Sequence, residues 1–139
     1  MTDRNAIQTG DIFAWERTFS DEDIHIFSEL SGDRGVQHVR PDERDRLMVQ
    51  GLLTATLPTK IGGELSFIAS EMLFQFRQPV YAGDTIRCEV VMDEIEPGER
   101  WLRLTCSWTC TNQEGEVVLT GSGKGVIRNT DRLDSTDEG

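Results

Sequence analysis

Asp33 and His38 stand five residues apart in the segment SGDRGVQH. A carboxylate and an imidazole held together in a cleft can work as a general acid/base pair, because burial and mutual proximity move both groups' proton affinities toward neutrality. On spacing alone, an Asp and a His in one loop are more often a local cap and a surface side chain. The other histidine, His25, lies between Ile24 and Ile26, off the stripe formed by Ile24, Phe27 and Leu30, and is expected to face water. Gly51 offers a second chemical handle. It opens the apolar run GLLTATLPTKI, and the first amides of a helix have no internal partners and carry partial positive charge. Such amides can receive a carbonyl oxygen that becomes enolate-like, and glycine permits close approach. The packing alternative is that Gly51 lets the helix sit tightly on a sheet.

Other reactive residue types are scarce. Cys88, Cys106 and Cys110 form no CxxC and leave one over if paired, so they read as reduced core thiols rather than a disulfide frame or metal site. No metal-ligand constellation or glycine-rich nucleotide loop is evident, and no cofactor is expected. Arg34, Arg40, Arg44 and Arg46 surround the Asp33–His38 loop. They could hold phosphates, or form an ordinary solvated loop.

The chain has 139 residues, 37% hydrophobic and 28% charged, about one domain's length with one core. Fourteen basic against twenty-five acidic residues give a formal charge of −11, which repels nucleic acid and anionic lipid. Lysine occurs only at 60 and 124. So acidic and Lys-poor a surface suits high-salt cytoplasm, an expectation that refolding below molar salt would test; an acidic mesophilic protein fits as well. No run of about 18 apolar residues exists, and MTDRNAIQTG lacks a basic-then-apolar leader, so a cytoplasmic protein without a membrane partner is expected.

The elements that would position these groups follow from pattern. Residues 12–17 suit an edge strand. Ser20 is a good N-cap with Asp23 three residues on, Ile24, Phe27 and Leu30 repeat at helical spacing, and Gly32 closes that helix. A polar loop from Asp33 to Met48 follows, with one helical turn expected over 42–46. The run 51–61 reads as a buried helix, kinked or shortened at Pro58 and ended by Gly62 and Gly63. Strand alternation then begins: Met72, Phe74 and Phe76; Ile86, Cys88, Val90 and Met92; Leu102, Leu104, Cys106, Trp108 and Cys110; and a glycine-rich strand over 117–128. Turns fall at Pro97-Gly98 and Gly115. The expected architecture is a single α+β domain, 1–128, in which a four-strand antiparallel meander curves around the apolar helix. An acidic tail, 129–139, is expected to be disordered. Unpaired sheet edges favour edge-to-edge pairing into a homodimer.

The run FSDEDIHIFSELSGDRGVQH, then MVQGLLTATL, FRQPVYAGDT and NQEGEVVLTG, resembles the MaoC-like dehydratases, which include (R)-specific enoyl-CoA hydratases and have the hot dog fold. The resemblance runs from about Phe19 to Val126 and keeps the family's order of segments. It implies that Asp33 and His38 activate water and that the Gly51 amide polarises an acyl thioester. It places Thr59 as a hydroxyl near the dyad, and makes Pro79, Gly83 and Asp84 structural. The implied reaction is reversible syn hydration of a trans-2-enoyl thioester, with an acyl-CoA as substrate, since an acidic protein should not dock readily to an acidic carrier protein.

The departures bear on the site. Gly35 and Val36 stand where the family carries Asn-Pro, Gln50 stands where it carries His, and the stretch from His38 to Gly51 is shorter, as if a small helix over the acyl pocket were trimmed. Two other readings stay open. A hot dog thioesterase would direct the water at the thioester carbonyl, and an acyl-thioester binding module would turn nothing over.

Overall fold

A computed structural model describes residues 7–129. Residues 1–6 and all of the expected tail beyond Asn129 lie outside that range. Asn129 itself extends β5, its amide donating to the Arg100 carbonyl at 2.8 Å and its side chain to the Gly98 carbonyl.

The chain order is β1 (Ile12–Thr18), α1 (Asp21–Ser31), α2 (Val36–Val39), α3 (Gly51–Thr54), α4 (Thr56–Glu64), β2 (Ile68–Phe76), β3 (Thr85–Glu96), β4 (Trp101–Thr111) and β5 (Val117–Arg128). The five strands form one antiparallel sheet in the order β1-β3-β4-β5-β2, with α3 and α4 among the buried residues on its inner face. This is the α+β architecture expected, with one topological correction. The strands are not a simple meander: β3, β4 and β5 follow one another, but β2 pairs with β5 at the far edge. The segment 77–84 after β2 is not a tight hairpin. Arg77 bonds to the Val118 carbonyl, Val80 accepts from Val49, and Tyr81 bridges to Met48, so the chain crosses the end of the sheet before β3 begins.

Inward faces follow the alternation. Ile86, Cys88, Val90 and Met92 on β3 and Leu104, Cys106, Trp108 and Cys110 on β4 are all buried. The glycines of β5 make room for this core. A Cβ at Gly121 would collide with the Leu73 carbonyl and the Trp108 indole nitrogen, and one at Gly123 would stand 2.9 Å from Cζ3 of the same ring.

Helix α1 has its full capping box: the Ser20 side chain accepts from the Asp23 amide at 3.1 Å, and the Asp23 carboxylate accepts from the Ser20 amide at 3.0 Å. Gly32 ends it in the left-handed region at φ 80°. Its buried face is Ile24 and Ser28, whereas Leu30, expected in the apolar stripe, is 84% exposed. The apolar helix breaks at Ala55, between α3 and α4, rather than at Pro58. Proline has no amide to give the Thr54 carbonyl, so the chain restarts and Pro58 falls in a first turn that needs no donor there. Gly62 and Gly63 do not end α4, which continues to Glu64. The helical turn expected over 42–46 lies instead at Val36–Val39; 42–46 is a turn tied by Asp42, whose Oδ1 accepts from the amides of Arg44 and Arg46, both at 2.9 Å.

Candidate active site

The end of α1 sets the position of Asp33. After Gly32 turns the chain, the Asp33 amide donates to Ser31 Oγ at 2.9 Å and Asp33 Oδ1 accepts from the Gly35 amide at 3.3 Å. Oδ2 faces His38. Gly35 is the N-cap of α2, and that single helical turn carries His38 inward until it is 7% exposed. The Gly35-Val36 departure therefore still delivers the imidazole: its Nε2 lies 3.6 Å from Asp33 Oδ2. That gap is too long for a direct hydrogen bond.

His38 Nδ1 lies 2.8 Å from the Met48 carbonyl, which can only accept, so Nδ1 carries the proton. In the neutral ring Nε2 is then a bare acceptor, turned toward Asp33 and approached by the Gln37 amide nitrogen at 3.2 Å. Met48 is itself strapped in place. Its amide donates to the Gln37 carbonyl, the Val49 amide to Val80, and the Ala82 amide to Leu47. The shortened stretch between His38 and Gly51 is thus a strap rather than a lid, and it runs straight into α3.

At that helix start the first intrahelical bonds come from Leu53 and Thr54, both to the Gln50 carbonyl. The amides of Gly51 and Leu52 precede them and have no partner in the ladder. Met48 and Gly51 are three residues apart, so the helix start lies within ~11 Å of the carbonyl that holds His38. The Phe76 ring covers Gly51: a Cβ there would stand 2.7 Å from Phe76 Cε1. Gln50 is wholly buried, and its Nε2 donates to the Ile24 carbonyl at 3.0 Å and to Ser28 Oγ at 2.8 Å, clamping α1 to the helix start. Its Oε1 is buried without a partner.

Not every candidate converges here. Thr59 is exposed, eight residues or ~12 Å along the helix from Gly51, and its hydroxyl donates to the Ala55 carbonyl at 3.0 Å. It faces a cavity under α4 and contacts neither Asp33 nor His38. His25 is exposed, as expected. Of the loop arginines, Arg34 pairs with Glu29 at 3.1 Å, and Arg46 pairs with Asp42 at 2.9 Å while stacking on Tyr81 at 4.0 Å. The Arg46 guanidinium, with the two amides, holds the Asp42 carboxyl below its usual value. Asp84 is structural, its Oδ2 accepting from the Tyr81 amide and its Oδ1 from Gln113.

Three contributors were missed from the sequence: Gln37, the Met48 carbonyl and Phe76. Gln37 adjoins His38 and could have been noted. A backbone carbonyl has no residue signature, and Phe76 reads only as one more apolar strand position.

No family model matches the chain. A curated relative, 3-hydroxybutyryl-CoA dehydratase of Methylorubrum extorquens, is 33% identical over 116 residues, covering 76% of this chain and 71% of the relative. The chain belongs to the MaoC-like dehydratase family. A second relative of this MaoC-like chain, the (R)-specific enoyl-CoA hydratase of Rhodospirillum rubrum, is 28% identical over 131 residues, covering 87% of this chain and 88% of the relative. Among solved structures, the unliganded R-hydratase of Pseudomonas aeruginosa superposes with a TM-score of 0.78 at 19% identity, covering 90% of this chain and 84% of that one. That superposition shows the fold, which is the hot dog. No helix among the described residues is long and apolar enough to cross a membrane.

Proposed function

We propose that this chain adds water reversibly across the C2=C3 bond of a trans-2-enoyl-CoA to give the 3-hydroxyacyl-CoA. The observation that carries the reading is the 3.6 Å gap between Asp33 Oδ2 and His38 Nε2, with the His38 tautomer set by the Met48 carbonyl. Two proton acceptors face each other there, spaced so that one water can donate to both. As the water oxygen adds to C3, His38 Nε2 takes a proton and Asp33 stabilises the imidazolium. The C2=C3 electron pair moves toward the thioester oxygen, which the Gly51 amide receives. Return of the proton from His38 to C2 completes syn addition and restores the enzyme. Names of the two curated relatives agree with this chemistry.

The test is crotonyl-CoA hydration, followed by loss of enoyl absorbance, in wild type, Asp33→Asn and His38→Asn. Each variant is expected to lose ~10²–10⁴ in kcat, and the double variant little more, because the groups act on one water. Equal, background rates in all three would leave only a binding module. Steady release of free thiol without absorbance change would instead make the chain a thioesterase.

The substrate carrier in this reading is coenzyme A. The net charge of −11 opposes an acidic carrier protein, and Arg40 and Arg44, which make no ion pair among the described residues, are placed in the loop after His38 to meet nucleotide phosphates. The three thiols are free, which fits the reducing cytoplasm. The assembly in this reading is a homodimer. The outer edge of β2 is unpaired, and Ile68, Met72, Leu73 and Phe76 on that strand are all exposed, a length of apolar edge that isolated proteins avoid. Pairing of two β2 edges would cover it; sedimentation as a monomer at micromolar concentration would refute this.

A further inference from the structure

Between α4 and the inner face of the sheet lies a cavity of about 250 Å³. Pro58, Thr59 and Gly62 wall it from the helix; Met72, Met92 and Trp108 wall it from the sheet. The Thr59 hydroxyl is already given to the Ala55 carbonyl, so the lining offers little to a polar guest. The hydration step described above makes no use of this space.

β2 connects the cavity to the reacting centre. Met72, Phe74 and Phe76 share one face of the strand, since alternate residues point the same way. Phe76 covers Gly51, Met72 lines the cavity, and Phe74 between them lies 6.4 Å from the Phe76 ring and 5.3 Å from that of Trp108. An apolar strip therefore leads from the Gly51 amide to the cavity. Two rulers give its length: the four strand residues from Met72 to Phe76 span ~13 Å, and the seven helix residues from Gly51 to Pro58 span ~11 Å. Phe76 is 55% exposed and Met72 41%, so an acyl chain can be laid along the strip.

We propose that this cavity receives the far end of the acyl chain, so that the enzyme prefers medium-length 2-enoyl thioesters, of about ten carbons, over four-carbon ones. The inference rests on the hydratase reading of Asp33, His38 and Gly51. With the thioester carbonyl at the Gly51 amide and an advance of ~1.3 Å per C–C bond, the chain enters the cavity at about its ninth carbon. A four-carbon acyl group stops near Phe76 and leaves both strip and cavity unfilled. Each methylene fully withdrawn from water is worth about fourfold in kcat/KM, so even partial burial along the strip compounds with length.

The experiment measures kcat/KM of the full chain on trans-2-enoyl-CoA substrates from four to about twelve carbons, alongside Gly62→Leu and Thr59→Phe, each confirmed folded by its thermal melt. A Cβ at Gly62 meets Phe67 Cδ2 only at 3.6 Å, an ordinary contact, so the added side chain is accepted beside the cavity. Thr59→Phe fills it from the exposed face of the helix. Wild type should favour the ten-carbon over the four-carbon substrate at least tenfold, and both substitutions should reduce that ratio at least fivefold. A profile that is flat or highest at four carbons, or a ratio unmoved by both substitutions, would overturn the inference while leaving the hydratase reading intact. No hydration at any length would remove both.

Discussion

Gly51→Ala separates the role of the helix amide from that of helix packing. The added Cβ would sit 2.7, 3.1 and 3.2 Å from three carbons of the Phe76 ring, against an ordinary contact of ~3.7 Å, so the ring must withdraw by ~1 Å. Phe76 is more than half exposed, so it can rotate into solvent at little cost, while alanine in a helix gains up to ~1 kcal/mol over glycine. The melting temperature should therefore change by less than about 4 °C. Catalysis should respond differently. The methyl group occupies the space beside the amide that the thioester oxygen must approach, and losing one such donor costs ~10²–10³ in kcat. The assay is hydration of crotonyl-CoA with Phe76→Ala and the double variant in parallel. The double variant should stay as slow as Gly51→Ala. Recovery to the Phe76→Ala rate would show that ring displacement, and not access to the amide, caused the defect. An undiminished rate in Gly51→Ala would refute the oxyanion role altogether.

The clamp between α1 and the helix start makes a stability prediction. Ser28→Ala should cost ~1–3 kcal/mol in urea unfolding by leaving a buried Gln50 N–H without its acceptor, whereas Ser28→Ala with Gln50→Leu should lie closer to wild type; a neutral Ser28→Ala would contradict the clamp. The capping box makes a pH prediction. Burial pushes the Asp23 carboxyl up, but the Ser20 amide and the Arg17 guanidinium outweigh it and hold the group below its usual 3.8. A depressed folded-state value means that its contribution is present above the unfolded value and is lost as pH falls through the lower one. The stability gap between wild type and Asp23→Asn, followed by thermal melts, should hold above about pH 4 and close below it; a gap that persists to pH 2 would contradict this.

Asp33 and His38 were legible because their side chains are named in the sequence and stand on either side of a recognisable helix stop at Gly32. Their use was not, because the Met48 carbonyl that fixes the histidine tautomer has no residue identity. Thr59 shows the opposite failure: a hydroxyl at the right sequence distance is carried away by the helix, at 1.5 Å per residue, to a different cavity. The Val36–Val39 turn was misplaced to 42–46, where charged side chains suggested helix but the Asp42 carboxylate captures the amides for a turn.

The sequence alone determined which face of each long strand is buried and where α1 begins and ends. Alternation and capping are local: each depends on residues within about four positions, whose geometry the backbone itself fixes. Tertiary structure decided that β2 lies beside β5, with Leu73 opposite Ser122 and Phe76 opposite Leu119. Two strands far apart in the chain are equally able to pair with several others. What selects the partner is packing that no local pattern encodes, namely the glycines of β5, which alone admit the Leu73 carbonyl and the Trp108 ring. That choice sets Phe76 over Gly51 and opens the strip to the cavity.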